Sequence, residues 1–335
     1  MRIVVFGAGS IGCFIGGAWA AAGFDVAFIG REGTRNELSV NGMRLTDHTG
    51  WQARISADQV DFSARNEQLA NAELIVVSVK STATAQAAEA IAGHARAEAV
   101  VLSLQNGISN VRELKKRLPQ TRVLAGVIGF NVARIGPGHW HKGTSGGFWV
   151  ERAPLLENLL KRLPDNSPAR FSLRDNMEQI AWGKLLLNLN NAINALSGKT
   201  LIEELSDRTY RRALAASMRE ALEIMRKTGA EPARIGPLPP HLLPGFIALP
   251  DVVFNTIGLR LQKIDRNARS SMADDFLAGK PTEIDCLNGE IVRLAEKNDL
   301  KAPINARIVE MVKEAERGGR KSWPGPELLK ALNGA

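Results

Sequence analysis

The stretch Arg2–Ile29, RIVVFGAGSIGCFIGGAWAAAGFDVAFI, decides the fold. RIVVF is a short β-branched run of the kind that forms a buried parallel strand. Gly7-Ala8-Gly9-Ser10-Ile11-Gly12 follows, then an Ala/Gly-rich helical segment to about Ala22, a turn at Gly23-Phe24 and a second strand, Asp25–Ile29. A lone GxGxxG is a weak signal. Here it stands in the strand, glycine turn, helix, strand context that a dinucleotide fingerprint requires. The glycines permit a tight turn and close approach of backbone to pyrophosphate, whose charge would sit on the helix N-terminus. That assigns Gly7, Gly9, Ser10, Ile11 and Gly12 to cofactor binding.

The end of the second strand addresses which dinucleotide. An NAD site usually places Asp or Glu there to hold the ribose 2′-hydroxyl. This chain has Ile29-Gly30-Arg31, and a guanidinium suits the 2′-phosphate of NADP. The alternative is that Arg31 is a surface residue and neighbouring Glu32 does the ribose work. NADP is favoured.

Working outward, residues 35–70 are less regular, with strand-like pieces at 42–45 and 52–56. ELIVVSV (73–79) is a buried strand ending in Lys80, and AVVLSL (99–104) is another, ending in Gln105-Asn106-Gly107. Strand C-termini of a doubly wound sheet face the cofactor crevice, so Lys80 is a candidate for phosphate or ribose and Asn106 for the nicotinamide end. An exposed helix-opening lysine and a plain Asn-Gly turn are the bland readings. VLAGVIGFN (123–131) continues the sheet, and 136–150 suggests short antiparallel strands. A helix at 154–163 and a strand at 169–172 close the first domain, with a boundary near residue 173. His139 and His141 share one strand face, but no third ligand joins them, so no metal site is expected.

Composition bounds the class. At 335 residues, 44% apolar and 23% charged, the chain is long enough for two globular domains. A net charge of +8 suits an anionic ligand, but basic residues are scattered and no nucleic-acid motif is present. Glycines interrupt the apolar N-terminus where a signal peptide would not place them, and no apolar run is long enough to span a bilayer. The two cysteines, Cys13 and Cys286, have neither metal-ligand spacing nor a disulfide framework. A cytoplasmic protein is expected.

The remainder reads as helices at 176–197, 207–228, 250–264, 283–298 and 305–316, with a five-proline surface loop at 235–250. The first carries the stretch MEQIAWGKLLLNLNNAINALSG (177–198), which is apolar on most sides. Into that cylinder the chain puts Lys184, Asn188 and Asn191 at i, i+4 and i+7, one face of a helix. An unpaired ammonium in a dry core is costly, so the stripe is expected to face a cavity, a partner charge or a ligand. The alternative is a lysine snorkelling to solvent beside two incidental asparagines. A second constellation is RSSMADD (269–275) followed by GKPTEID (279–285), whose acids are also what the start of a helix favours.

Taken together, GAGSIG, Lys80 after its strand, Gln-Asn-Gly at 105–107, WGKLLLN and SSMxxDxxxGxPTEIDxLNG resemble the ketopantoate reductase (2-dehydropantoate 2-reductase) family nearly end to end. The resemblance implies an α/β protein with an N-terminal Rossmann-type doubly wound parallel sheet (1–173, NADP-binding). It implies a C-terminal all-helical domain (174–335) that carries the substrate and catalytic residues, with catalysis in the cleft between the two. The implied reaction is NADPH-dependent reduction of a 2-keto acid, with 2-dehydropantoate leading, in pantothenate biosynthesis. Carried over, Lys184 resembles the catalytic lysine and Glu283 the substrate-binding acid of the catalytic pair. Asn106, Asn188 and Ser271 match substrate contacts, with Asn191 beside them, while Arg31 and Lys80 match cofactor-phosphate contacts. The partner is a small 2-keto acid, and a homodimer is left open.

The chemistry supports these roles. Hydride arriving at a ketone carbon leaves charge on oxygen, which needs a proton or a donor at that moment. A cavity lysine supplies both, and its proton affinity would be tuned by burial and by Glu283 if the two meet. Two positions depart from the pattern. Ala192 and Ala268 stand where the family often has asparagine, with Asn191, Asn194 and Asn267 as neighbours that a rotation of about 100° per residue keeps from being substitutes. The rival readings are a related 2- or 3-hydroxyacid or opine-type dehydrogenase and a non-catalytic NADP sensor. A sensor is expected to lose Lys184 or Glu283, and both are present.

Overall fold

The computed structural model describes residues 1–262 and 268–334. The end of the helix expected to reach Ile264, and Asn267, lie outside them. The chain divides into two compact units, Met1–Met177 and Glu178–Ala335. A boundary at residue 173 falls inside the last strand of the first unit, so the division comes only after that strand is complete.

The first unit begins as its glycine stretch dictates: β1 (Arg2–Phe6), α1 (Ser10–Ala21) and β2 (Asp25–Ile29). Then come α2 (Glu32–Asn41), β3 (Met43–Asp47), β4 (Gln52–Ile55), β5 (Asp61–Ser63), β6 (Leu74–Val77), α3 (Thr84–His94) and β7 (Val100–Ser103). The unit continues through α4 (Ser109–Arg117), β8 (Arg122–Ile128), β9 (Val132–Gly136), β10 (His139–Lys142), β11 (Phe148–Glu151), α5 (Pro154–Arg162) and β12 (Ser172–Arg174). Eight strands form one sheet in the order β12-β11-β8-β7-β6-β1-β2-β5. All its pairings are parallel except β11 with β8. The order reverses at β1, which lies between β2 and β6, and this is where a doubly wound sheet opens its ligand crevice.

Strand alternation sends side chains to two separate cores. Val4, Ile29, Ile75, Val77 and Val101 meet Ala87, Ile91 and Leu114 of α3 and α4 on one face. Ile3, Val5, Val26, Phe28 and Val76 meet Phe14, Ile15 and Trp19 of α1 on the other. Beyond α1 lies a second sheet, β4-β3-β10-β9, whose Met43, Leu45, Ile55 and Trp140 join that same core. The strand piece at 42–45 therefore pairs with one from 139–142, and the piece at 52–56 pairs with the first. The antiparallel arrangement expected there holds for β9 with β10, but β10 runs parallel to β3. His139 and His141 face outward from it, both bonded to the Thr46 hydroxyl at 3.0 and 2.9 Å. Among the described residues no group of three or more His, Cys, Asp or Glu could hold a metal.

Among its described residues the second unit has helices and no strand: α6 (Met177–Asn188), α7 (Asn190–Ser197), α8 (Leu201–Ser206), α9 (Arg208–Thr228), α10 (Leu243–Ile247), α11 (Asp251–Gln262), α12 (Ser271–Leu277), α13 (Asn288–Glu296), α14 (Pro303–Glu316) and α15 (Gly325–Asn333). Its axis is α9, capped by Asp207 accepting from Thr209 N–H and ended by Gly229 in the left-handed region. Tyr210, Leu214, Ser217, Met218, Ala221 and Met225 line its buried face at helical spacing. Buried Asn305 of α14 accepts from Ser217 Oγ (2.8 Å) and Asn288 Nδ2 (3.0 Å), which ties α9, α13 and α14 together. Among the described residues no helix is long and apolar enough to cross a membrane.

Three local expectations need correction. The helix expected over 176–197 divides into α6 and α7 at Leu189, although that residue keeps helical dihedrals (φ −57°, ψ −23°) and its N–H still donates to Leu185 O at 3.0 Å. The helix expected from Glu283 begins at Asn288, after a single 3₁₀ turn at Ile284–Cys286. The five-proline loop contains α10, since Pro244 occupies its first turn, where a missing N–H costs nothing. Fully buried Arg211 holds this segment to α9 by donating to the carbonyls of Ile247 (2.8 Å) and Leu249 (2.7 Å) and pairing with Asp251.

Candidate functional site

In the first unit the glycines of the fingerprint serve different needs. Gly7 has φ +113°, and a Cβ there would lie 2.6 Å from Val79 N. A Cβ on Gly12 would lie 2.3 Å from Gly7 O and 2.4 Å from Ser78 Oγ. Both positions are closed by the protein itself. At Gly9 a Cβ would meet no protein atom within 4 Å, so nothing inside the fold requires glycine there. Gly9 is also the N-cap of α1, supplies no side-chain cap, and is followed by a first turn without acids. Open space beside uncapped helix N–H groups is what a dinucleotide pyrophosphate fits. Ser10, Ile11 and Gly12 form that first turn.

The loop is pinned by Ser78 Oγ donating to Gly7 O at 2.8 Å and by Gly7 N–H donating to Ile29 O at 2.9 Å. Ser78 went unnoticed in the sequence; its only signal is a hydroxyl at the C-terminal end of a buried strand. Arg31 follows Gly30, where a Cβ would lie 2.7 Å from Ala8 Cβ, so the end of β2 abuts the glycine turn. Arg31 is exposed at the N-cap of α2. Glu32, the alternative ribose ligand, is engaged by Arg35 at 2.8 Å.

Lys80 and Asn106 end neighbouring segments that one polar network connects. Buried Gln105 donates from Nε2 to Val79 O (3.1 Å) and Thr84 Oγ1 (2.7 Å). Thr84 Oγ1 donates to Asn110 Oδ1 at 2.8 Å, and Asn110 Nδ2 donates to Ser81 Oγ (3.0 Å) and Asn106 O (2.6 Å). The Asn-Gly turn is real, since Gly107 has φ +82°. Thr84 and Asn110 carried no sequence signal, because their partners are distant in the chain.

In the second unit, Lys184 lies in the middle of α6, partly buried. The residue before it is glycine because the 233 segment crosses the helix there. A Cβ on Gly183 would lie 2.1 Å from Ala233 O, and Ala233 N–H donates to Gln179 O at 2.7 Å. Burial alone lowers the Lys184 ammonium to about 8. No carboxylate enters that shift, so the tuning by Glu283 anticipated from the sequence is not its cause. One turn on, Asn188 is buried. Neither Lys184 nor the Asn188 amide has a hydrogen-bond partner among the described residues, and buried polar groups are rarely left so without a ligand to meet. The stripe continues into α7 at Asn191, across the break at Leu189.

The serine segment is brought against α7. Asn191 O accepts from Ser270 Oγ at 3.1 Å, and Ser270 N–H donates to Asn194 Oδ1 at 2.9 Å. Ser270 is the N-cap of α12, accepting from Ala273 N–H at 3.1 Å, a structural duty its sequence context did not reveal. Ser271 is exposed at the first position of that helix. Glu283 is partly buried and its carbonyl accepts from Cys286 N–H at 2.9 Å. Its segment is held by Thr282 N–H donating to Glu316 Oε1 (2.7 Å) and by the Lys313–Asp285 ion pair (2.7 Å). Of the two departures, Ala192 is fully buried and Ala268 accepts from Leu201 N–H at 2.8 Å through its carbonyl.

The family model described as "Ketopantoate reductase PanE/ApbA" matches residues 3–154, and its C-terminal counterpart matches 176–316. The 2-dehydropantoate 2-reductase of Halobacterium salinarum is 26% identical over 329 residues, covering 95% of this chain and 100% of its own length. That of Archaeoglobus fulgidus is 25% identical, covering 95% and 98%. The crystal structure of a PanE/ApbA family ketopantoate reductase from Ralstonia eutropha JMP134 superposes with a TM-score of 0.80 at 27% identity, covering 95% of this chain and 99% of that one. With a doubly wound unit and a helical unit both matched, the chain belongs to the ketopantoate reductase family, NAD(P)-dependent oxidoreductases that act on a CH–OH group.

Proposed function

We propose that this protein reduces a 2-keto acid to the 2-hydroxy acid with NADPH, that 2-dehydropantoate is its leading substrate, and that it works in the cytoplasm in pantothenate biosynthesis. The observation that carries the reading is Lys184 with Asn188 one turn on. Both are withdrawn from solvent, neither has a partner among the described residues, and the ammonium is held near 8. An acid with that proton affinity is charged at neutral pH yet gives up its proton far more readily than an ordinary lysine.

NADPH, when bound, supplies the hydride. The first unit holds it: the backbone of Gly7, Gly9, Ser10, Ile11 and Gly12 receives the pyrophosphate, and Arg31 with Lys80 receives the 2′-phosphate. Asn106, at the end of β7, belongs to the nicotinamide and substrate end. In the second unit, Lys184 Nζ donates to the keto oxygen and transfers its proton as charge develops there, then regains one from solvent. Asn188 and Asn191 offer amide donors to the same substrate, and the Ser271 hydroxyl donates to its carboxylate. Glu283 accepts from a hydroxyl of the substrate, which fits a hydroxylated keto acid better than a plain one.

A second reading, a 2-hydroxyacid dehydrogenase with another substrate, is favoured by Ala192 and Ala268, where two amide donors of the usual pattern are missing. The experiment is a panel of 2-keto acids with NADPH consumption followed by nicotinamide absorbance. Turnover of 2-dehydropantoate above the other acids supports the first reading. A different preferred acid supports the second, and no turnover of any would leave an NADP sensor. Light scattering of the same preparation reads whether the protein is a homodimer.

A further inference from the structure

Glu204 of α8 is fully buried, and no part of the mechanism above uses it. Its Oε2 accepts from Asn190 Nδ2 (3.3 Å) and Asn194 Nδ2 (3.1 Å). Its Oε1 has no partner among the described residues. Neither has Oδ1 of the same Asn190, and both atoms are buried. Two acceptor oxygens cannot satisfy each other, and a buried acceptor left without a donor is costly. One proton satisfies both. A carboxylic acid and a primary amide close a ring of two hydrogen bonds, amide N–H to acid C=O and acid O–H to amide C=O. The bond already present and the two orphaned atoms are the parts of that ring.

Among the described residues no cation faces the Glu204 carboxyl. Arg211 is committed to Asp251 and to the carbonyls of Ile247 and Leu249. Arg269 sits on the carbonyls of Gly198 and Lys199, both at 3.1 Å. Lys199 is exposed, and Glu203 is turned to cap Thr200. A charge on Glu204 would add to the burial that already pushes the Tyr210 hydroxyl of α9 up. Burial raises the Glu204 carboxyl to about 8, against the lowering effect of its two asparagine bonds, and no cation of the described residues contributes.

The pair reaches the serine segment through Asn194, itself fully buried. Asn194 Nδ2 is shared between Glu204 and Lys199 O (3.2 Å), which fixes the amide so that Oδ1 accepts from Ser270 N–H at 2.9 Å. We propose that Glu204 is a neutral acid paired with Asn190 in an acid–amide ring, and that through Asn194 it positions the Ser270–Ser271 turn. It is a positioning residue rather than a catalytic one. Its consequence for substrate rests on the role proposed above for Ser271; the pairing itself does not.

The test turns on Glu204→Gln, whose amide keeps one acceptor and one donor and can close the same ring, and on Glu204→Leu, which can do neither. The infrared spectrum of the parent at pH 7 should contain a protonated-carboxyl band that Glu204→Gln removes. Amide exchange at Ser270 should be unchanged in Glu204→Gln and at least about tenfold faster in Glu204→Leu. With keto acid, Glu204→Leu should raise KM by about tenfold, while the KM for NADPH and the behaviour of Glu204→Gln stay at parent values. A parent spectrum without that band, or a Glu204→Gln protein as impaired as Glu204→Leu, overturns the proposal. If Glu204→Leu does not fold, the band and the Glu204→Gln exchange data decide alone. A protein that passes both yet turns over no keto acid retires the functional reading and leaves the acid–amide clamp standing.

Discussion

Replacing Lys184 by methionine keeps the stem and removes the ammonium, and two magnitudes follow from its burial. The drop from an ordinary 10.5 to about 8, at ~1.4 kcal/mol per pKa unit, means that the native state carries a penalty of about 3 kcal/mol for the charged form. The unfolded chain holds this proton up to 10.5 and the native chain only to about 8. Between those values the unfolded state binds more protons, so stability rises with pH; below 8 the penalty is present in full. Lys184→Met should therefore be more stable than the parent at pH 7 by up to about 3 kcal/mol, and the advantage should disappear towards pH 10.5. Urea melts at three pH values read this directly. Activity should move the other way. General acid catalysis is worth roughly 10²–10⁴-fold, or ~3–5 kcal/mol of barrier, so Lys184→Met should lose about that much in kcat while NADPH affinity holds. In the parent, reduction should be nearly flat below pH 8 and fall about tenfold per pH unit above it. A variant within threefold of the parent, or a parent profile flat from pH 7 to 10, would refute Lys184 as the proton donor.

Other outcomes follow from single positions. Arg31→Ala should weaken NADPH binding and leave NADH nearly untouched, shrinking an NADPH preference of at least about tenfold; equal use of both cofactors by the parent would sink the assignment. Gly9→Ala should fold normally, because its Cβ meets nothing, yet lose cofactor affinity, whereas Gly12→Ala should fail in thermal melts before any cofactor is added. Gly183→Ala drives a methyl into Ala233 O and should cost about 1–3 kcal/mol in urea melts, with a raised keto acid KM as the 233 segment shifts off α6. Asn188→Ala should raise the keto acid KM with little loss of stability, since no partner among the described residues is orphaned; a large loss in melting temperature would mean that the amide serves the fold.

The doubly wound unit could be read because its decisive features are local. Glycines, β-branched runs and their order within Arg2–Ile29 need no knowledge of distant partners. The second sheet could not, because β3 finds β10 some ninety residues later, and pairing at that distance leaves no periodic mark. Helix α2 was missed because Leu38 is its one buried residue, so there is no apolar stripe to detect. In the candidate site, Lys184 and Asn188 stood out as polar residues in an apolar helix. Ser78, Thr84, Asn110, Asn194 and Glu204 did not, because what makes each of them matter is a hydrogen bond to a residue that the sequence gives no reason to put beside it. Ser270 was noticed for one reason and is explained by another: it caps a helix.

Helix α1 has sheet on both sides, with Phe14, Ile15 and Trp19 buried in a core drawn from both. Its first turn is therefore held rigid before any ligand arrives. A cofactor docking there has no helix to order and no backbone entropy to remove, so its binding heat should report contact and desolvation alone. The heat-capacity change on binding should then match the apolar surface that the cofactor itself buries, with no excess of the kind that folding coupled to binding produces.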